Sequence, residues 1–469
     1  MFMYDCLIIY EVFPRELESV LLLKCELERR GYTVEFERRP YENVYALRKK
    51  YNNKVRTVIV PTLYSEDAMY WIYFFAGRVK TIFNLQWEQV STFLGESENT
   101  GGRSMYPQGF CREATTLCWG EKPKENLINS GMIESKCPIV GPIHMDFFRK
   151  EFCRYYLDKD DLFRKFGLDP KKKKYLFISS FSFVALPKNL QEYLYDIQGQ
   201  DYVDQLTKFS LQSQVLILKW FDDLLCAHPE ILLIYRPHPI EFENQDLQNM
   251  KARHKNFKVI SEYSVKQWIL TVDKVYLWFS TSSVELFFSK TPFTILRPIP
   301  VPSEDKELTI FKNAKMINSY SSFIEDLEIF ENSPLNSEII TRYYNVDKFK
   351  PSYERICDVI ETSIISNQYD VNWNYHLVRN FKIRILRDLL KARLKPAYIR
   401  VLKLLNEFNM KYNTAILGSR VQRYFDGKES DYKIFHKDAY TWEAEIPNII
   451  MKLEKIVHKE NLHKLCPKG

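Results

Sequence analysis

Glycine is scarce in this chain: 14 residues in 469, about 3% where about 7% is usual. Neither G-x-G-x-x-G nor a Walker loop occurs, so a glycine cradle for phosphate is excluded. A phosphate site here has to be built from side chains and helix ends. The nine cysteines are scattered, odd in number and never spaced as C-x-x-C. That pattern argues against a zinc site and for the reduced thiols of a cytoplasmic protein. Long apolar runs are missing too. The longest stretch free of charged and strongly polar residues, Ala68 to Gly77, falls far short of the roughly 20 residues a membrane span needs. The N-terminus enters a strand at once, without the basic and apolar regions of a signal peptide.

What is present is globular. Hydrophobic residues make up 45% and charged residues 27%, with 30 Tyr and 32 Phe, and the length suggests about three units. Short apolar runs such as Cys6–Tyr10, Val55–Pro61 and Tyr175–Ser180 alternate with amphipathic stretches such as Glu18–Arg30. This βαβα pattern predicts parallel sheets covered on both faces. The expected fold class is α/β, two Rossmann-like domains facing a cleft with a basic helical C-terminal extension. Their boundaries are 1–148 for an acceptor-side domain, 149–345 for a donor-side domain and 346–469 for the extension. Lys171–Lys174 reads as part of a solvated bridge, 196–214 as a polar insertion and 96–108 as a mobile loop.

Two strand ends stand out. Ile231–Tyr235 is an apolar run stopped by Arg236-Pro237-His238-Pro239, because proline fixes φ and removes a ladder donor. Val275–Phe279 is followed by Ser280-Thr281-Ser282-Ser283, N-cap candidates for a helix through Glu285. Ligands of open α/β sheets bind beyond the carboxyl ends of the strands. The fork of Arg236, the ring of His238 and the hydroxyls of Ser282 and Ser283 suit a nucleotide phosphate there. His228-Pro229, by contrast, reads as a helix stop. On the first domain, Glu11 and Glu16 lie in a loop after the first strand, facing the same cleft. Group transfer from a nucleotide needs a base for the acceptor hydroxyl and a clamp for the leaving phosphate. Glu16 is the first candidate for that base, Glu11 the second, and Glu88 and Asp146 follow. The one Asp-x-Asp, Asp158-Lys159-Asp160, lies in the charged bridge, so the clamp is expected to work without a metal or other cofactor.

Several of these segments resemble one family. Ile9-Tyr10-Glu11 through Glu18, Cys118-Trp119-Gly120-Glu121, Gly141-Pro142 to Asp146, Tyr235–Pro239 with Glu241, Trp268, and Thr281–Glu285 are similar to bacterial surface carbohydrate biosynthesis proteins, over roughly Met1 to Asn313. These are like nucleotide-sugar glycosyltransferases of the two-Rossmann (GT-B) architecture. The Arg-x-His-Pro and Ser/Thr-Ser pairing is shared with bacterial sialyltransferases, Kdo transferases and the polyol-phosphate polymerases of teichoic acid synthesis, which use cytidine nucleotide donors. The resemblance implies that His238, Ser282 and Ser283 hold the donor phosphate and that Glu285 reaches the ribose. Trp278-Phe279 departs from the small polar residues usual before the serines.

Residues 371–420 carry eleven Lys/Arg against Asp388 and Glu407, a local net of +9 that leaves the rest of the chain near −2. Apolar residues recur there at helical spacing on both sides of Pro396, which predicts a pair of basic amphipathic helices. These suit an anionic membrane surface, or simply pack on the second domain with solvated lysines. No nucleic-acid-binding signature accompanies the charge, so a nucleic acid partner is not expected.

The function expected is a nucleotide-sugar-dependent glycosyltransferase of surface polysaccharide synthesis, cytoplasmic, either free or peripheral at the inner face of the cytoplasmic membrane. It would take a CMP-activated donor such as Kdo or a nonulosonic acid and a glycan or lipid-linked acceptor. The alternatives are a CDP-polyol phosphotransferase of the teichoic-acid type and a non-catalytic, membrane-associated adaptor.

Overall fold

Tyr4–Tyr10 (β1) ends in five consecutive buried residues, and alternation along the strand sends them to opposite sides. Cys6, Ile8 and Tyr10 enter one apolar cluster and Leu7 and Ile9 another. A strand apolar on both faces belongs in the middle of a covered parallel sheet. The computed structural model, which describes residues 2–38, 44–90, 106–239, 241, 243–302, 307–312, 314–331, 335–390 and 443–458, places it there. The first sheet is wholly parallel in the order β2-β1-β3-β4-β5, with β2 Val34–Arg38, β3 Val55–Val60, β4 Thr81–Asn84 and β5 Thr115–Thr116.

The second sheet is also wholly parallel. Its order is β11-β10-β9-β6-β7-β8, with β6 Lys173–Ile178, β7 Ile231–Arg236, β8 Phe257–Val259, β9 Lys274–Leu277, β10 Phe293–Leu296 and β11 Met316–Ile317. In β6, Leu176 and Ile178 join the cluster that also holds Ile8, while Tyr175 and Phe177 face the other way. One core is thus shared between the sheets. The fold class is the one expected: two Rossmann-like α/β units with a cleft between them and helices at the C-terminal end.

Several local expectations change. Helix α1 begins at Phe13, not near Glu18, and runs to Arg29. Pro14 lies in its first turn, where the missing N–H costs nothing and the fixed φ favours helix. The stretch expected to be polar insertion is helical, Lys188–Gln198 and then Gln200–Ala227. In the second helix Val203, Ser210, Ser213, Ile217, Trp220 and Leu224 are buried at helical spacing, so its polarity belongs to one solvated face. Lys173 and Lys174 lie in β6, and Lys174 is buried, its ammonium donating to the Pro170 carbonyl at 2.9 Å. Of the expected loop over 96–108, residues 96–105 lie outside the described residues.

After β11 the chain returns to the first sheet. Helix Ser352–Ser366 packs on α1, where Arg30 is 2.9 Å from both Asp358 and Glu361. Asp146 accepts the Ser352 and Tyr353 N–H groups at 3.0 and 2.8 Å, anchoring the start of that helix. A further helix over 375–390 buries Val378, Phe381 and Ile385 against helices α2 (Val44–Tyr51) and α3 (Glu66–Ala76) of the first domain. The second basic helix expected beyond Pro396 lies outside the described residues. Residues 443–457 form a helix that places Leu453 and Val457 in the shared core.

Among the described residues no helix is long and apolar enough to cross a membrane. Seven cysteines there are free, but Cys153 is disulfide-bonded, which corrects the expectation of wholly reduced thiols.

Candidate functional site

In both sheets the strand order reverses beside a central strand, between β1 and β3 in one and between β6 and β9 in the other. Such reversals leave a crevice at the carboxyl ends of the strands. The two crevices face each other and form one cavity of about 700 Å³. Its second-domain wall is made by Ser179 after β6, Arg236 to Pro239 at the end of β7, Ser280 to Ser282 after β9, and Glu285 and Lys266. The first domain and the returning chain contribute Arg15, Trp87, Glu88, Trp119, His144 and Tyr344.

The two motifs found in the sequence thus share one wall, but their residues do different things. His238 lines the cavity, and burial together with the nearby Arg15 charge pushes its imidazole down to about 4, so the ring is neutral near pH 7. Its loop is shaped by Glu241, which accepts from the His238 N–H at 3.0 Å, from Gln214 at 3.3 Å, and from the hydroxyls of Tyr235 and Ser179. Burial raises the Glu241 carboxyl above the usual range. Arg236 reaches the wall at the end of β7, yet its guanidinium donates to the Glu262 carbonyl at 3.0 Å and to the Tyr263 carbonyl. Much of its donor fork therefore goes to fastening the loop after β8.

Ser282 faces the cavity at the start of helix Ser283–Ser289, its N–H donating to Ser280 Oγ at 3.2 Å. Ser283 does not face it: its side chain is buried, and among the described residues its Oγ has no hydrogen-bond partner. Consecutive residues of a helix point about 100° apart, so Ser282 and Ser283 cannot both address one ligand as neighbours on a strand-end loop would. Glu285 lines the cavity, and burial raises its carboxyl to about 7 against the opposing pull of Lys266. Trp278, the departure noted in the sequence, turns away and stacks on Phe181 at 4.6 Å.

On the first-domain side the acids exchange places. Glu16 is fully buried in the first turn of α1; it accepts from the Glu11 N–H at 2.7 Å and from Arg15 Nη2 at 2.8 Å. Burial raises its carboxyl, opposed by Arg15. Neither Glu16 nor Glu11 lines the cavity; Glu88 does, held by Arg15 Nη1 at 2.8 Å. Glu16, Arg15 and Glu88 therefore form a chain that presents a cation and a carboxylate to the cleft.

Behind them Trp119 meets His144 edge-on at 4.8 Å and Tyr344 at 5.4 Å. His144 is held neutral, pushed down to about 3 by burial and by Lys266 and Arg15, and its Nδ1 is buried without a hydrogen-bond partner. Lys266 donates to Glu18 of α1 at 3.2 Å, a buried ion pair spanning the two domains. Tyr155 donates to the same carboxylate at 3.1 Å.

Sequence reasoning missed Arg15, His144, Lys266 and Tyr344 as parts of the site. Arg15 and His144 carried a signal, since both lie within segments that stood out; Lys266 and Tyr344 carried none. The metal-ligand types that gather elsewhere, Asp222, Cys226 and His254, lie outside the cavity, and Asp222 already pairs with Arg253 and His254.

Two parallel Rossmann-like sheets with a polar and aromatic cleft between their carboxyl ends define a two-domain protein of ligand-cleft type. No family model matches the chain, and no curated protein matches it. Among solved structures it is similar to the UDP-GlcNAc 2-epimerase of Methanocaldococcus jannaschii in complex with UDP-GlcNAc and UDP, with a TM-score of 0.47 and 12% identity over 76% of this chain and 99% of that one. The UDP-GlcNAc 2-epimerase of Neisseria meningitidis bound to UDP-GlcNAc gives 0.46 and 11%, over 77% and 100%. The wall teichoic acid polymerase TagF gives 0.48 and 11%, over 77% and 90%. At such identity no residue role is carried over from these proteins.

Proposed function

We propose that the protein is a nucleotide-sugar-dependent glycosyltransferase of bacterial surface polysaccharide synthesis, with a CMP-activated donor such as Kdo or a nonulosonic acid. The observation that carries this reading is convergence. The His238 loop and the Ser280–Ser282 turn, some forty residues apart in sequence, meet on one wall of a 700 Å³ cleft, opposite acids and aromatics of another domain. The choice of cytidine rests on the resemblance of these two motifs to those of cytidine-nucleotide enzymes.

In the reaction an acceptor hydroxyl attacks the anomeric carbon. The bond from that carbon to the phosphate oxygen breaks, and the nucleotide leaves with the electron pair. Charge then develops on the phosphate, where the N–H of the neutral His238 ring and the hydroxyls of Ser280 and Ser282 donate to it. Glu285 addresses the ribose. The proton of the acceptor hydroxyl goes to Glu88, the carboxylate that the first domain presents to the cavity, while Glu16 acts one step back by positioning Arg15. His144 and the Trp119 ring complete the acceptor side.

A thermal-shift panel with CMP, CDP, UDP and GDP tests the donor site. A nucleotide at a hundred times its dissociation constant adds about 2.7 kcal/mol of apparent stability. We expect a shift with CMP that is lost in His238→Ala and kept in Glu88→Gln. The latter lowers kcat by about 10²–10⁴, the usual worth of a general base. A shift with CDP alone assigns polyol-phosphate transfer instead, and no shift with any nucleotide leaves the adaptor reading.

A further inference from the structure

The helix over 375–390 has two apolar faces, and among the described residues only one of them is packed against the fold. Its inner face carries Val378, Phe381 and Ile385, all buried, and is pinned by Tyr70 donating to Asp388 at 2.7 Å and by the Arg384 guanidinium 3.8 Å above the Tyr70 ring. Trp373, just before the helix, donates to the Val79 carbonyl at 2.8 Å. At 100° per residue, the outer side holds Tyr375, Arg379, Ile383, Leu386, Arg387 and Leu390 with His376 and Asn380 between them, and Lys382 stands at its edge, one turn from Val378. Ile383 is 58% exposed, Leu386 73% and Leu390 59%. No acidic residue lies on this face. The one acid of the helix, Asp388, belongs to the inner side, and Arg387 pairs with it at 3.6 Å. Among the described residues Arg379 and Lys382 have no ion-pair partner.

We propose that this face docks the first domain onto an anionic lipid bilayer. Aliphatic residues at 383, 386 and 390 recur at helical spacing, so they enter the acyl boundary together. Arg379 and Lys382, exposed beside them, lie at the depth of the headgroups, where negative lipids attract cations. The combination selects the partner. A nucleic acid gives the three aliphatic side chains nothing to bury against, and a solvated charged face has no use for them. Arg384, although basic, takes no part, since Asp67 and the Tyr70 ring hold it. This inference is independent of the chemistry proposed for the cleft.

The test is co-sedimentation of the full chain with vesicles of phosphatidylcholine alone and of phosphatidylcholine with about a third phosphatidylglycerol. Wild type is expected to bind the anionic vesicles and to leave the neutral ones largely unbound. Ile383→Glu with Leu386→Glu should weaken that binding by at least about tenfold at an unchanged melting temperature, because both side chains are solvent-exposed already. Arg379→Glu with Lys382→Glu should do the same. The aliphatic pair decides the matter, because attraction by basic residues beyond 390 survives its loss. Vesicle binding unchanged in the aliphatic variant overturns the proposal, as does wild type that ignores anionic vesicles. Wild type that instead self-associates through these residues, seen by light scattering and abolished in the same variant, overturns it in favour of a second copy of the chain.

Discussion

Glu16 illustrates what a residue's neighbours decide. Its place after the first strand was legible, but the side it faces was not, because Pro14 starts the helix earlier than the apolar spacing suggested. Titration provides a finer test at this scale. His238 and His144 stay neutral in the fold down to about 4 and about 3, whereas an ordinary imidazole takes up a proton near 6.5. The unfolded chain therefore binds more protons below pH 6.5, and stability falls on acidification from there towards pH 4. Glu285 has the opposite sign. Its carboxyl remains protonated up to about 7 where an ordinary one ionises near 4.5, so its contribution is complete below pH 4.5 and is lost as the pH rises to 7. Thermal melts across pH 4–7 should show a shallower acid loss in His144→Gln, and in Glu285→Gln a gain relative to wild type that appears only towards pH 7.

At the scale of elements, strands were the easiest to read. The Cys6 and Ile231 runs appear as expected because a strand buried on both faces is a continuous apolar run bounded by turn residues. Helix Gln200–Ala227 was half missed, since a solvated helical face and a polar loop share one composition. The Ser280–Glu285 segment was placed correctly beside the His238 loop, yet the helix it opens turns Ser283 inward. Glycine is scarce enough that its few positions are informative. A Cβ on Gly120 would lie 2.4 Å from the Arg342 carbonyl oxygen and 2.6 Å from that of Tyr343, both backbone atoms that cannot rotate away. Gly120→Ala should therefore cost about 1–3 kcal/mol in chemical denaturation. It should also weaken nucleotide binding, because the displaced helix end, Ser337–Tyr343, carries Tyr344 on the cleft wall.

Over the whole molecule the link between the domains is a buried charge pair. Lys266 and Glu18 are nearly inaccessible, on opposite sides of the domain boundary. Removing one partner from such a pair leaves a charge without compensation, typically at about 3–5 kcal/mol, so Glu18→Ala should lower the denaturation midpoint sharply while Glu18→Ala with Lys266→Met recovers much of the loss. Nothing in the sequence announced this pair, since a Glu in the second turn of a long helix and a Lys in a five-residue helix are unremarkable apart. Contacts at such separation along the chain have no local pattern to betray them. The same holds for Ser352–Ser366, which the sequence offers as part of a C-terminal extension and the fold sets against α1.

That helix has a temporal consequence. Because the chain leaves the first lobe, builds the second and only then comes back, the second lobe is in effect an insertion within the first. On a ribosome all strands of the second sheet emerge before the segment that covers Arg30 and Tyr32, just after α1, has been made. The lobe that begins first in synthesis is thus the one that finishes last, and until residue 366 is free its outer side is an unfilled seat open to chaperones.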